Sequence, residues 1–476
     1  MQTQTRPAEA PAVRDHRWTA LVVIAVAQLM VALDATVVNI ALPTAQHALG
    51  FSDGDRAWVV TAYTTAVAGL LLLGGRVADR FGRRRAFLVG LAGFAVASAL
   101  AGAATNLGLL MAGRALQGVF AAVLAPTALS LIAVTFTDGK ERAKAFGVYG
   151  AVASSGAAVG LLLGGVLTEY AGWRWCLYIN VAIALVAFVV GRRVLPSGDG
   201  FPESRIDVPA GLLVTAGIAA IVYACAQAAS EGWTSREVIV PFLIGVLGVA
   251  GFVVHQRRSA APVLPLWVLA DRSRIGAYLA VAAAVVGSFG MFLMLTYHFQ
   301  GVLGWSPIRT GLAFLPLSVA VSVGSFGLGS KLLPKVAPRA LIVPGLVVAA
   351  SGLLLLSGMT VDSGYLTRIL PAEVLLGVGM GCVFTPAISV ATSGIDRRFA
   401  GVAAATANTF MQVGGSIGTA ALNSVAVAAT ASAGAGATAL VHGFAVATTW
   451  AAVLLLAAAV AAAVLVRTPR PDPQQH

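Results

Sequence analysis

Fourteen apolar stretches, each long enough to cross a bilayer, run through this chain, and its basic residues sit almost entirely in alternate gaps between them. The stretches cover roughly 18–42, 56–75, 85–105, 107–136, 143–168, 174–194, 208–228, 237–255, 275–300, 309–330, 340–360, 366–391, 400–424 and 440–466. Of the 31 Lys and Arg, 25 lie in the two tails and at the even-to-odd gaps. Arg56, Arg174, Arg236, Arg309 and Arg368 lie at the odd-to-even gaps, and Arg114 falls inside a stretch. Positive loops resist translocation, so Lys and Arg stay on the cytoplasmic side. The pattern predicts an even span count, both termini cytoplasmic, and a multi-pass place in a bacterial inner (plasma) membrane.

Composition narrows the class. Charged residues make up 11% and hydrophobic ones 58%, whereas a soluble domain carries about 25% charged residues. Lipid admits only helices or closed barrels, because unpaired backbone groups are costly there. The stretches are too long and too continuously apolar for barrel strands of about ten alternating residues. The expected fold is therefore all-α and membrane-integral, with 14 transmembrane helices. The net charge of +12 belongs to the loops and does not imply a nucleic-acid partner. Cys176, Cys225 and Cys382 lie within spans, lack metal-ligand spacing, and read as small hydrophobes. The first stretch carries Asp34 and reads as a retained span rather than a cleaved signal.

The longest basic gaps, 195–207 and 256–274, flank spans 7 and 8. These spans read as an insertion between two six-helix halves, spans 1–6 (18–194) and spans 9–14 (275–466), with tails 1–17 and 467–476. Internal duplication is a common transporter design, with the substrate path between the repeats. The repeat is faint: GRVADRFGRRRAF from Gly75 has GSKLLPKVAPRAL from Gly329 as its counterpart, without a carboxylate.

Asp34 lies about nine residues from the end of span 1, or ~13 Å deep. A centrally placed charge costs ~2.5–3.5 kcal/mol on insertion scales and is usually functional or paired. Arg114, eight residues in from Asn106, lies at a similar depth of ~12 Å, with Gln117 one turn further. Arginine does not usefully deprotonate, so Arg114 either tunes Asp34 or an anionic group, or staples helices through backbone carbonyls. Glu373, five residues past Arg368, is a second protonatable site or the ion-pair partner of Arg368; the spacing leans toward the pair. His298 reads as an interfacial residue.

Gly156, Gly160 and Gly164, with Gly165 beside them, line one face of span 5, where a neighbouring helix can approach closely. Gly414 and Gly418 repeat the device in span 13. Gap 75–87 has the densest charge: Arg76, Asp79, Arg80, Arg83, Arg84 and Arg85. Orientation explains the arginines but not Asp79 between Gly75 and Gly82. That carboxylate reads as a helix cap or a conformational latch to arginine.

These segments resemble a known family. GRVADRFGRRRAF resembles the span 2–3 loop motif of the major facilitator superfamily. LDATVVNIALP, from Leu33, resembles the first-span motif of its fourteen-span drug:proton antiporter branch. Arg114 through Gly118 resembles the span 4 motif assigned to proton coupling. Trp173 to Asn180 and Trp305 to Pro316 also read like that branch. One departure is that Leu161, not proline, follows Gly160 in the span 5 antiporter motif. Another is Thr61, where some polyvalent-cation exporters of the branch have a carboxylate.

The resemblance implies a non-enzymatic, alternating-access exporter that exchanges protons for small amphiphilic compounds of the antibiotic class. Its energy source would be the proton gradient, with no cofactor, and it would act as a monomer in the lipid bilayer. Asp34 and Arg114, with Glu373 in reserve, would couple protons. Gly75, Asp79, Arg80, Gly82 and Arg83 would latch one state, against the start of span 13 near Ala400. Trp58, Tyr63, Gln117, Phe289, Phe292, Asn408 and Gln412 are candidates for the cavity wall. The alternative is an uptake transporter for a metabolite, supported only by the missing proline. An enzyme would show clustered nucleophiles, bases or metal ligands, and an ATP-driven pump a P-loop; neither motif is present.

Overall fold

The computed structural model describes residues 16–467 except 137, 197–206, 260, 261, 263, 265, 334 and 394–399, and some helical side chains, Asp79 and Phe289 among them, are likewise outside the description. Every long element is helical, and the described residues include no strand. The helices are α1 (Arg17–Leu49), α2 (Arg56–Phe81), α3 (Arg83–Gly102), α4 (Leu107–Thr135), α5 (Gly139–Tyr170), α6 (Trp175–Val194), α7 (Val208–Glu231) and α8 (Arg236–Arg258). Then come α9 (Arg272–Tyr297), α10 (Pro307–Leu332), α11 (Arg339–Ser357), α12 (Leu370–Thr392), α13 (Ala400–Ala433) and α14 (Ala437–Leu465).

Among the described residues, 12 helices are long and apolar enough to cross a membrane. They match twelve of the fourteen apolar stretches. The other two stretches coincide with α2 and α5, which are 26 and 32 residues long.

Three helices depart from regular α geometry at one end of the molecule or along their length. A π-helical turn over His298–Val302 extends α9. Another, Tyr365–Ile369, leads into α12, and a third occupies Val323–Gly329 within α10. Such turns insert a residue into the helical ladder and often mark functional sites. The end of α1 also differs from expectation. The helix continues through Pro43 to Leu49 and stops at Gly50, whose φ of 69° fits a glycine cap. Asp34 therefore lies fifteen residues, or ~22 Å, from the end of its helix, because the helix outruns its apolar stretch.

Packing follows the small residues. A Cβ on Gly160 would fall 2.0 Å from Thr36 Oγ1 and 3.2 Å from Leu33 Cα, so α5 lies backbone-to-backbone on α1. Gly156 faces Ala32, and Gly164 faces Val37 and Ile40 on the same surface. In the last six helices, Gly414 and Gly418 of α13 meet Ala282 and Val286 of α9. Without a hydrophobic force between helices in lipid, such close contact is what holds them together. Helix α7 packs against its hairpin partner α8 and against both α2 and α13. Gly69 of α2 is filled by Thr215 of α7.

Both chain ends lie at the same end of the bundle. Leu465 and Val466 pack on Gly276, at the start of α9. The far ends of α1 and α9 meet through Gln46 and Tyr297, so these two helices run parallel. We call the two ends terminal and distal.

Candidate functional site

Asp34 is wholly buried, 0% exposed, and every polar neighbour it has is also buried. Arg114 of α4 donates from Nη1 to Asp34 Oδ2 at 2.5 Å. Gln117 Nε2 donates to Asp34 Oδ1 at 2.9 Å, and Asn180 Nδ2 of α6 donates to the same oxygen at 2.7 Å. The guanidinium is held in turn. Its Nε donates to the Val59 carbonyl of α2 at 3.1 Å, and Nη1 also reaches Gln117 Oε1 at 2.9 Å. Gln117 Nε2 lies 2.7 Å from Ser98 Oγ of α3. Tyr63 of α2 places its ring 4.6 Å from the guanidinium carbon. Five helices thus converge on one carboxylate.

The local sequence explains the convergence. Arg114 and Gln117 are three apart, so they share one face of α4. Gly113 and Gly118 flank them, and a Cβ at Gly118 would fall 2.4 Å from the Tyr63 carbonyl. The missing side chains let α4 press against α2 and α3, bringing the guanidinium within reach of Asp34. A buried ion pair repays its desolvation only when its remaining hydrogen-bonding atoms are satisfied. Here the carboxylate accepts three donors.

Two expected cavity residues, Tyr63 and Gln117, belong instead to this ionic cluster, because a buried guanidinium recruits the nearest ring and amide. The Trp58 ring lies 6.1 Å from that of Tyr223 and joins the apolar contact of α2 with α7 and α13. Phe292 packs 4.8 Å from Phe314 in the core of the last six helices. Asn408 and Gln412 are half-buried on α13, and the Phe289 side chain lies outside the described residues. Sequence reading passed over Asn180 and Ser98 as site residues. Their signal was a polar group in an otherwise apolar helix, 0% exposed in each case.

Glu373 is separate from this cluster and also 0% exposed. It makes no ion pair with Arg368; that guanidinium packs on Gly358 instead, 3.1 Å from a Cβ placed there. Residues five apart do not share a face even in a regular α-helix, where only i,i+3 and i,i+4 positions are neighbours. Tyr365 Oη lies 3.4 Å from Glu373 Oε2, and Glu373 Oε1 has no partner. His298, expected at an interface, is 0% exposed, and both its ring nitrogens lack partners.

At the distal end, the first and last six helices touch. Gln300 donates to the Ile40 carbonyl at 3.0 Å, and Tyr297 Oη to Gln46 Oε1 at 2.5 Å. The Arg56 guanidinium, 2.7 Å from Asp53, lies 4.0 Å over the Tyr297 ring. Asn423 donates to the carbonyls of Asp53 and Gly54 at 3.3 Å. Gly165 meets Pro307 and Ile308, and Gly311 meets Leu161, with backbones in contact. A cavity of about 170 Å³ lies beside these contacts, lined by Asp53, Arg56, Asn423, Thr430, Leu440 and Phe444 among others. The distal side is closed.

At the terminal end, Gly82 has φ 91°, a conformation that favours glycine in the tight α2–α3 turn. Arg80 lies 5.9 Å over the Phe81 ring, and Arg84 donates to the Arg192 carbonyl of α6. Arg76 reaches the Pro262 carbonyl at 3.0 Å. Gly75 is half-buried, with a Cβ placed on it falling 3.8 Å from Pro126, and Arg83 is half-buried at the start of α3. The latch expected between Asp79 and the start of α13 near Ala400 lies outside the described residues.

A polytopic bundle whose buried carboxylate sits inside the first six helices, and whose two groups of six meet through close-packed glycine faces and a few polar contacts, has the form of a membrane transport protein. Residues 24–419 match the family model of the Major Facilitator Superfamily, and the chain belongs to that family. The puromycin resistance protein pur8 of Streptomyces alboniger is 53% identical, covering 86% of this chain and 82% of its own. The cephamycin export protein CmcT of Amycolatopsis lactamdurans is 39% identical, with 86% and 84% covered. The tetracenomycin C resistance and export protein of Streptomyces glaucescens is 34% identical, with 87% and 76% covered. Among solved structures, a bacterial homologue of the human lysosomal transporter Spinster, inward-facing and unoccupied, superimposes with a TM-score of 0.68. It covers 96% of this chain and 98% of its own at 15% identity, a likeness of fold. The protein is a transporter, not an enzyme.

Proposed function

We propose that the protein exports small amphiphilic antibiotics from the cell in exchange for protons, with Asp34 as the proton carrier. The observation that carries this reading is the buried Asp34–Arg114 pair, in which both oxygens of Asp34 accept hydrogen bonds. The same donors that hold Asp34 ionised can let it go. If α4 or α6 shifts against α1, the carboxylate loses donors in a dry site and takes a proton instead. Arg114 stays charged and sets the threshold. Tyr63, Gln117, Asn180 and Ser98 position the pair. Relatives named for puromycin resistance and for cephamycin export support an antibiotic cargo.

The membrane arrangement belongs to the same proposal. All fourteen helices cross the bilayer, as halves 18–194 and 275–466 with α7 and α8 inserted between them. The terminal end is cytoplasmic, as the basic loops require, so the distal end is the outer one. The transporter works as a monomer on the proton gradient alone.

The test is a pump-deficient host expressing the gene and challenged with puromycin, a cephamycin and a panel of dyes. Resistance that collapses on adding a protonophore is the expected result. In everted vesicles, Asp34→Asn abolishes proton-driven uptake of the same compound; unchanged uptake would falsify the coupling role.

A further inference from the structure

Glu373 sits in the last six helices with no cation beside it. Among the described residues, its one polar contact is Tyr365 Oη at 3.4 Å. That phenol has a single proton, and a shorter bond to the Ala313 carbonyl of α10, at 2.7 Å, takes it. The contact to Glu373 is therefore weak, and Glu373 Oε1 has no hydrogen-bond partner among the described residues.

The charged and titratable groups around it give no other source of compensation. Arg368 packs on Gly358, and the Arg309 guanidinium lies 4.0 Å over the Trp305 ring. Asp362 is exposed, and His298 makes no polar contact. Lys331 and Arg339 lie at the terminal ends of α10 and α11, and Arg272, Arg274 and Tyr278 at that of α9. Tyr297 is engaged with Gln46 and Arg56. An ionised carboxylate in that position would be unpaired in an apolar site, which is costly.

Tyr365, which contacts Glu373, belongs to an aromatic group linked to the α1–α9 contact. Tyr365 lies 6.1 Å from Phe299 and 5.7 Å from Trp305, and the Phe299 and Trp305 rings stack 4.8 Å apart. Phe299 belongs to the π-helical turn His298–Val302, whose Gln300 holds the Ile40 carbonyl of α1. Tyr297, next along the chain, holds Gln46. Separating α1 from α9 on the outer side therefore pulls on the aromatic group to which Tyr365, the neighbour of Glu373, belongs.

We propose that Glu373 is a second proton-binding site, distinct from the Asp34 cluster, filled from outer water as the α1–α9 contact closes and emptied to the same side as it opens. Opening moves Phe299 and Tyr365, admits water, and the acid releases its proton to that water. Closing requires the carboxylate to take the proton back. Acid outside thus favours the outer-closed state, and alkali outside favours opening.

The sidedness rests on the orientation under Proposed function, but the proton site does not depend on Asp34 as carrier. The full-length chain carrying Ala48→Cys and Gly301→Cys is spin-labelled in nanodiscs, and pulsed electron resonance reads the α1–α9 distance across a range of pH. The closed fraction is expected to fall with rising pH, approaching a tenfold change in the closed-to-open ratio per pH unit for one proton. Glu373→Gln, a permanently neutral isostere, is expected to be closed throughout and pH-independent, while Asp34→Asn keeps the slope. An unchanged slope in Glu373→Gln overturns the proposal, whatever Asp34→Asn does to exchange. Should Glu373→Gln fail to fold, the unsubstituted protein decides. A hydrophobic carbodiimide, which attacks protonated carboxyls in apolar surroundings, should modify Glu373 in the peptide mass spectrum, and more so at acid pH. No modification at any pH overturns the proposal.

Discussion

The first and last six helices each bury a carboxyl completely, yet they treat it in opposite ways. Asp34 has three side-chain donors and an arginine whose own donors are placed. Glu373 has one phenol at 3.4 Å and a vacant oxygen. The difference teaches how unevenly a membrane protein distributes polar partners among its buried groups. Five helices bring polar groups to the Asp34–Arg114 pair, and a buried ion pair repays its desolvation only where such partners are present.

The contrast can be broken most severely at the ion pair. Arg114→Ala strands Asp34 without its cation and should cost ~3–5 kcal/mol, as removal of one partner from a buried pair does. The readout is thermal unfolding in detergent, and the double change Arg114→Ala with Asp34→Asn should recover part of the loss. Recovery of nothing would mean that the pair is not coupled. Asn180→Ala removes one charge-assisted bond and should cost about 1.5–3 kcal/mol, while making exchange less efficient at neutral pH. A matching change at Tyr365, to Phe, removes only the long contact to Glu373 and the bond to Ala313, and should cost about 1 kcal/mol. If Tyr365→Phe costs more than Asn180→Ala, the description of the two sites is inverted.

Packing offers a subtler test of the same comparison. Gly160→Ala forces α5 off α1 beside Asp34 and should cost ~1–3 kcal/mol by overpacking, with loss of transport. Gly301→Ala, at a position with nothing near its Cβ, should leave transport unchanged. The smallest expected effect lies outside both carboxyl sites. Asp207 caps α7, accepting from the Ala210 N–H at 3.2 Å and contacting His255 Nε2 at 2.9 Å. Partial burial raises its affinity for a proton, but the hydrogen bonds from His255 and Ala210 outweigh this and hold the carboxyl below its ordinary range. A lowered folded value stabilises the α7–α8 hairpin above the unfolded carboxylate pKa, and that contribution disappears as pH falls through the folded one. Asp207→Ala should therefore cost about 0.5–2 kcal/mol at pH 7 and much less in strong acid, read as converging melting temperatures.

Much of the site was legible because charge in an apolar stretch is hard to hide. Asp34, Arg114 and Glu373 each stand out against Leu, Ala and Val, and two separate depth counts put the first two together. Their pairing at 2.5 Å follows from that reading, although α1 runs on to Leu49 and the count from its end was short. Asn180 and Ser98 were less visible because a single amide or hydroxyl in a helix is common. His298 and Glu373 were misread as interfacial or paired. His298 lies in a π-helical turn that regular spacing cannot anticipate, and Glu373 stands five residues from Arg368, a spacing that does not share a helix face.

By itself the sequence determined the solvent: long apolar runs must be helices in lipid, and the alternating basic gaps set an expectation for the chain's path through it. It also determined which helices could touch, since rows of glycine leave a face with nothing to hold a neighbour away. Only the tertiary structure decided what each buried charge would be. A carboxyl's surroundings depend on donors brought from α4 and α6 with acceptors from α2 and α3 behind them, or on rings brought from the ends of α9 and α10 and the start of α12. Those neighbours are remote in sequence, and their arrival at a few ångströms is a property of packing rather than of pattern.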